Sequence, residues 1–130
     1  MLRTFIARFW PSLLVFGFIL YATLSSNPTS DVSLMLFPDA DKLIHAIMFG
    51  GFTGAILFDL YRSGKELRRG VIVCVALGVA LFGVLDECAQ AILTVERSGD
   101  VLDWLADVGG IIIACLVAPP VIRYVVSAHD

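Results

Sequence analysis

The chain has 130 residues, 58% of them hydrophobic and 16% charged, with a net charge of −3 and a mean hydropathy of +0.89. Soluble domains average about 45–50% apolar and about 25% charged residues, so these values exclude a disordered chain and point away from a water-soluble domain. The acidic balance and the lack of a long Lys/Arg-rich stretch give no electrostatic footprint for nucleic acid.

A membrane-crossing helix needs about 20 apolar residues, so this length accommodates about four spans and no separate soluble domain. The expected fold is all-α: one transmembrane domain over residues 1–130, a polytopic bundle of four helices. Apolar runs predict spans at residues 9–24, 43–61, 70–93 and 102–126. Ser25-Ser26-Asn27-Pro28 ends the first, Arg62-Ser63-Gly64-Lys65 the second, and Glu96-Arg97-Ser98-Gly99 separates the last two. The first run follows Arg3 and Arg8, as a signal peptide would, but no Ala-x-Ala site comes after it, so it reads as a retained helix.

Cytoplasmic loops carry the excess of Lys and Arg. Along a four-span path, Arg3, Arg8, Arg62, Lys65, Arg68, Arg69 and Arg123 fall on one side, with only Lys42 and Arg97 on the other. This predicts a multi-pass cell-membrane protein with both termini cytoplasmic. The acidic residues sort the opposite way. Asp31, Asp39, Asp41, Asp86, Glu87, Glu96, Asp100, Asp103 and Asp107 lie outside, against Asp59, Glu66 and Asp130 inside, giving −7 outside and +4 inside.

Three polar groups border the spans on the outer side. Asp41 and His45 are four residues apart at the head of the second span, Glu87 and Gln90 three apart at the foot of the third, and Arg97 precedes Asp103 and Asp107 on the fourth. Charges at membrane depth cost about 2.5–3.5 kcal/mol or more at the centre, so such groups face the bundle interior and find partners. Asp41, His45, Glu87, Gln90, Arg97, Asp103 and Asp107 are therefore expected to form one ligand-binding site, with Arg97 bridging carboxylates and Lys42 reaching the headgroups.

The series Asp41-Lys42-x-x-His45, Glu87-x-x-Gln90, and Arg97 followed by Asp103, Asp107 and Gly110 resembles the VanZ-like family of small integral membrane proteins. The resemblance covers about residues 38–115 and implies a membrane protein of a family named for an accessory role in teicoplanin resistance. Asp107 departs from the pattern, which often has Asn there, and adds a negative charge to an acidic group.

Three readings of the polar residues stay open. One is a binding site for an envelope lipid or a lipid-linked cell-wall precursor, whose excess of carboxylates favours a hydroxyl-rich or cationic headgroup, or a bridging divalent ion. Another is a hydrolase or transferase in which His45 serves as acid or base and Glu87 or Asp103 orients it. The third is a purely structural cluster joining helices. With one histidine near the carboxylates, a multi-His zinc site is not expected; no metal ligands or cofactors are assigned, and an oxygen-rich cation site is the weaker alternative. The expected partners are membrane lipids and no nucleic acid, with the oligomeric state open.

The remaining features have plainer readings. Cys74, Cys88 and Cys115 contain no Cys-x-x-Cys and are expected as small buried side chains. Gly50, Gly51, Gly54, Gly78, Gly83, Gly109 and Gly110 are expected at close helix contacts, and Trp10, Tyr61, Trp104 and Tyr124 in interfacial belts.

Overall fold

The computed structural model describes residues 1–25, 37, 39–93 and 100–127. Each predicted span lies inside one helix: α1 Leu2–Leu24, α2 Ala40–Arg62, α3 Arg69–Leu93 and α4 Val101–Ser127, with no strand among the described residues. At 1.5 Å per residue these helices run about 35–40 Å, enough to cross about 30 Å of hydrocarbon with some tilt. All four are long and apolar enough to cross a membrane. Large apolar side chains such as Leu77, Leu81, Ile113 and Leu116 point outward, while His45, Asp59, Asp86, Glu87, Gln90 and Asp107 are buried. This inside-out distribution suits a bundle whose solvent is lipid.

The helix directions divide the bundle into two chemically different ends. The start of α1, the α2–α3 turn and the end of α4 share one end, where Arg62 reaches α1 and Arg123 donates to the Leu67 carbonyl at 3.2 Å. The end of α1, the head of α2, the foot of α3 and the head of α4 share the other. All seven basic residues assigned to one side from the sequence lie at the first end, and the acidic groups of α2, α3 and α4 lie at the second, apart from Asp59. The α2–α3 turn is closed by Gly64 at φ +82°, with Lys65 N–H bonded to Leu60 O and Gly64 N–H to Tyr61 O. That pattern satisfies the last carbonyls of α2 and requires the left-handed conformation glycine tolerates.

The basic end also contains a broken helix whose polar groups are all accounted for. Pro11 has no N–H for the Ala7 carbonyl, and α1 bends at Phe9, whose φ/ψ of −113°/18° is not helical. Ser12 turns its N–H to Asp59 Oδ2 at 3.0 Å and adds its hydroxyl to the same oxygen, so the Arg8 carbonyl loses its helical donor. Arg62 donates to both orphaned carbonyls, Ala7 O and Arg8 O, and lies 3.4 Å from Asp59 Oδ1. A buried carboxylate and a proline kink thus satisfy each other across α1 and α2, as backbone in hydrocarbon must be satisfied.

Between the ends, Phe16, Phe49, Phe52 and Phe82 interlock with centroids 5.2–5.9 Å apart, alongside Ile19, Met48, Val79 and Ile111. The most extensive helix contact is between α2 and α4. Gly50 and Gly110 carry it: a Cβ on Gly110 would collide with the Ala46 backbone, and one on Gly50 would lie 3.0 Å from the Gly110 carbonyl. Gly83 is the third close approach, whereas Gly51, Gly54, Gly78 and Gly109 have no such neighbour within 4 Å. The expectation that all seven glycines mark tight packing therefore holds for three.

Candidate functional site

The heads of α2 and α4 and the foot of α3 bring three of the expected residues together. His45, one turn into α2, places Nδ1 3.0 Å from Asp107 Oδ1 on α4 and 3.8 Å from Glu87 Oε1 on α3. His45 and Asp107 are fully enclosed and Glu87 nearly so. The small surface of Gly83 makes room for this meeting, since a Cβ there would lie 3.2 Å from Asp107 Oδ2 and 3.3 Å from Phe49. Phe49, one turn below His45, lies nearly parallel to its ring with centroids 6.4 Å apart. The aromatic layer thus separates the cluster from the basic end.

The other expected residues fall into two neighbouring groups. At the rim, Lys42 Nζ stands 3.4 Å from Asp39, 3.6 Å from Asp41, 3.5 Å from Asp103 and 3.9 Å from Asp100. The ammonium expected to reach headgroups is instead surrounded by four carboxylates, because the first turns of α2 and α4 converge there. Asp41 and Asp103 also lie where carboxylates favour the positive ends of their helices. Deeper, Gln90 donates to Asp86 Oδ2 at 3.1 Å, while Thr23 donates to Asp86 Oδ1 at 2.8 Å, tying α1 to α3. Arg97 lies outside the described residues.

Glu87 joins the buried cluster to the exterior. Its Oε2 accepts the Asp100 N–H at 2.9 Å, and its side chain also lines a cleft of about 450 Å³ between α3 and α4. Val84, Cys88, Ala91, Val101 and Trp104 supply most of the remaining wall. The Trp104 indole N–H bonds to Ala80 O at 3.1 Å and fixes the ring across the cleft. Trp104 and Thr23 were not expected at the site. An aromatic near a span end carries no record of the neighbouring helix, and a lone hydroxyl in an apolar run carries none of its acceptor. Cys88 and Cys74 also depart from expectation, being exposed, while Cys115 is half-buried. In lipid an outward thiol meets the same apolar surroundings as an inward one.

Several carboxylate oxygens have no hydrogen-bond donor among the described residues. Glu87 Oε1, Asp103 Oδ1 and Asp107 Oδ2 are buried without a hydrogen bond, with Lys42 Nζ 3.5 Å from the Asp103 oxygen and His45 Nδ1 3.8 Å from the Glu87 oxygen. One imidazole therefore faces two carboxylates from different helices, with capacity left on both.

Four apolar helices carrying polar groups on their inner faces define a multi-pass membrane protein with an acidic polar end. A family model described as VanZ/LLP1 matches residues 2–123, from the start of α1 into α4, and the chain belongs to this family. No curated protein and no solved structure matches it.

Proposed function

We propose that this protein binds the headgroup of an envelope lipid or lipid-linked cell-wall precursor at its acidic end. In this reading both termini are cytoplasmic and the acidic end faces the outer leaflet of the cell membrane, in keeping with the basic residues gathered at the opposite end. The supporting observation is the double position of Glu87, within the buried cluster and on the wall of an apolar cleft. A hydrocarbon chain lying in the cleft would bring its headgroup beside Glu87 and Asp100. The cleft falls within the range of about 300–1,000 Å³ typical of small-ligand sites. Through such a ligand the protein would alter susceptibility to teicoplanin, read as a difference in inhibitory concentration between hosts expressing wild type and Glu87→Gln.

Orientation has a direct test. A periplasmic-type phosphatase joined after Lys65 should be inactive, and a fluorescent protein at the same place should shine. The reverse pattern would put the acidic cluster on the cytoplasmic side and remove this reading.

Binding is read through Trp104, since Trp10 on α1 is the only other tryptophan. In a Trp10→Phe protein in phosphatidylcholine bilayers, chain-brominated lipids of different headgroups are compared at equal mole fraction. One headgroup class should quench Trp104 several-fold beyond its mole fraction, and Glu87→Gln should erase the preference. Quenching that tracks mole fraction for every phospholipid, glycolipid and polyprenyl phosphate tried would reject the site.

A second reading, hydrolysis or group transfer on the same lipid with His45 as acid or base, draws on the 3.0 Å contact by which Asp107 orients the imidazole. Chemical change of the bound lipid by purified protein separates it from binding alone.

A further inference from the structure

We propose that His45, Glu87 and Asp107 together hold one divalent transition-metal ion of the manganese, iron or zinc type. One ligand atom from each lies within 4.8 Å of the other two. The three donors come from three helices, so an ion between them would join α2, α3 and α4 at a single point. Metal bonds of about 2.0–2.2 Å set neighbouring ligand atoms about 3.0–3.5 Å apart. The observed Nδ1 separations of 3.0 Å to Asp107 and 3.8 Å to Glu87 bracket that range, so closing on an ion needs only a small movement of Glu87.

The unpartnered oxygens are the independent reason to look for a cation. Asp107 Oδ2 and Glu87 Oε1 are buried without a hydrogen-bond donor among the described residues, on side chains at least nine-tenths enclosed. An ionised carboxylate in such surroundings costs several kcal/mol unless a positive group answers it. Lys42, the one described cation at this end, is held among the carboxylates of the rim. A protonated His45 would bring one positive charge against the two carboxylates of Glu87 and Asp107. A doubly charged ion fits that balance better. The donor set also selects among ions: one imidazole with two carboxylates suits manganese, iron or zinc, whereas calcium prefers six to eight oxygens.

Three protein donors leave coordination positions free. Because Glu87 also lines the cleft, an ion beside it would give the acidic end a positive centre able to take a phosphate oxygen. This consequence rests on the lipid-binding reading above, and it identifies the headgroup as phosphate-bearing. The metal site itself does not depend on that reading.

The test uses full-length protein in nanodiscs with any affinity tag removed and His129→Ala, which leaves His45 as the sole imidazole. After chelator stripping and dialysis against manganese or zinc, elemental analysis should find about one ion per chain. Pulsed electron paramagnetic resonance of the manganese form should show coupling to an imidazole nitrogen. Glu87→Gln and Asp107→Ala should each weaken loading at least ten-fold. Loading far below one ion, or bound manganese without nitrogen coupling, overturns the site, and both are read on unsubstituted ligands, so a variant that fails to fold does not obscure the answer. Loading unchanged in folded Glu87→Gln and Asp107→Ala also overturns it. Trp104 quenching in stripped and loaded samples keeps the two proposals apart. Phosphate-lipid preference that appears only with metal supports the link between them. Preference unaffected by metal breaks that link, and loading without lipid preference retains the ion and rejects the lipid reading.

Discussion

Gly110→Val should abolish the folded bundle, whereas Gly109→Ala, one residue away, should leave it as stable as before or slightly more so. The difference lies in what the new atoms meet. At Gly110 a Cβ falls onto the Ala46 carbonyl and Cα, which belong to a helix backbone and cannot turn aside as a flexible side chain would. Overpacking typically costs about 1–3 kcal/mol, and a clash with backbone along the most extensive interface belongs at or above the top of that range. At Gly109 nothing lies within 4 Å, and replacing glycine by alanine in a helix favours the helix by about 0.5–1 kcal/mol. Thermal unfolding in detergent, followed by circular dichroism, separates the two outcomes. The effect should extend to the site, because His45 adjoins Ala46 and Asp107 sits one turn before Gly110. Pushing α2 from α4 opens the 3.0 Å contact between them. Equal stability of the Gly110→Val and Gly109→Ala proteins would mean that the two helices do not approach here.

Which glycines matter was not legible in the sequence, and the reason is physical. Gly50, Gly54 and their spacing form a recognised small-residue pattern, yet the contact pairs Gly50 with Gly110, sixty residues away, and leaves Gly54 open. Spacing along one helix identifies a face, but the partner's register decides which glycine on it is used. The four spans were legible because hydropathy is a property of each segment alone, and sorting the basic residues by side depended only on counting crossings. His45, Glu87 and Asp107 could be singled out because an ionisable group set into an apolar run has few tolerable places to go. Their subdivision could not. That Lys42 draws Asp41 and Asp103 to the rim, and that Thr23 and Gln90 take Asp86, follows from how four helices meet. The dock that the Pro11 kink offers to Asp59 and Arg62 likewise emerges only from the fold.

Asp107→Asn should fold nearly as well as wild type, while Asp107→Ala should lose about 3 kcal/mol. Asparagine keeps an oxygen able to accept from His45 Nδ1 and preserves the volume, and it is the residue the VanZ-like pattern often carries at this place. Alanine leaves the imidazole facing a cavity with its nearest acceptor removed. Polar contacts between membrane helices average only about 0.6 kcal/mol, since the unfolded chain in the bilayer finds other partners. Removing the acceptor of a buried donor costs about 1–3 kcal/mol, and more where a charge takes part, because the donor is left without compensation. The second figure governs here: His45 and Asp107 are wholly enclosed, Phe49 closes one side, and the 3.8 Å from His45 Nδ1 to Glu87 Oε1 is too long to replace the lost bond. A double-mutant cycle over His45→Leu and Asp107→Leu, measured by unfolding, should give a coupling of about 2 kcal/mol, well above the membrane average. The Asn protein then separates adhesion from ligand binding. If the pair exists only to hold helices, Asp107→Asn keeps every property of the wild type. If the acidic end binds a ligand through the charge of Asp107, the same folded protein loses headgroup preference at Trp104, and a coupling near zero in the cycle would deny the pair its role in holding the helices.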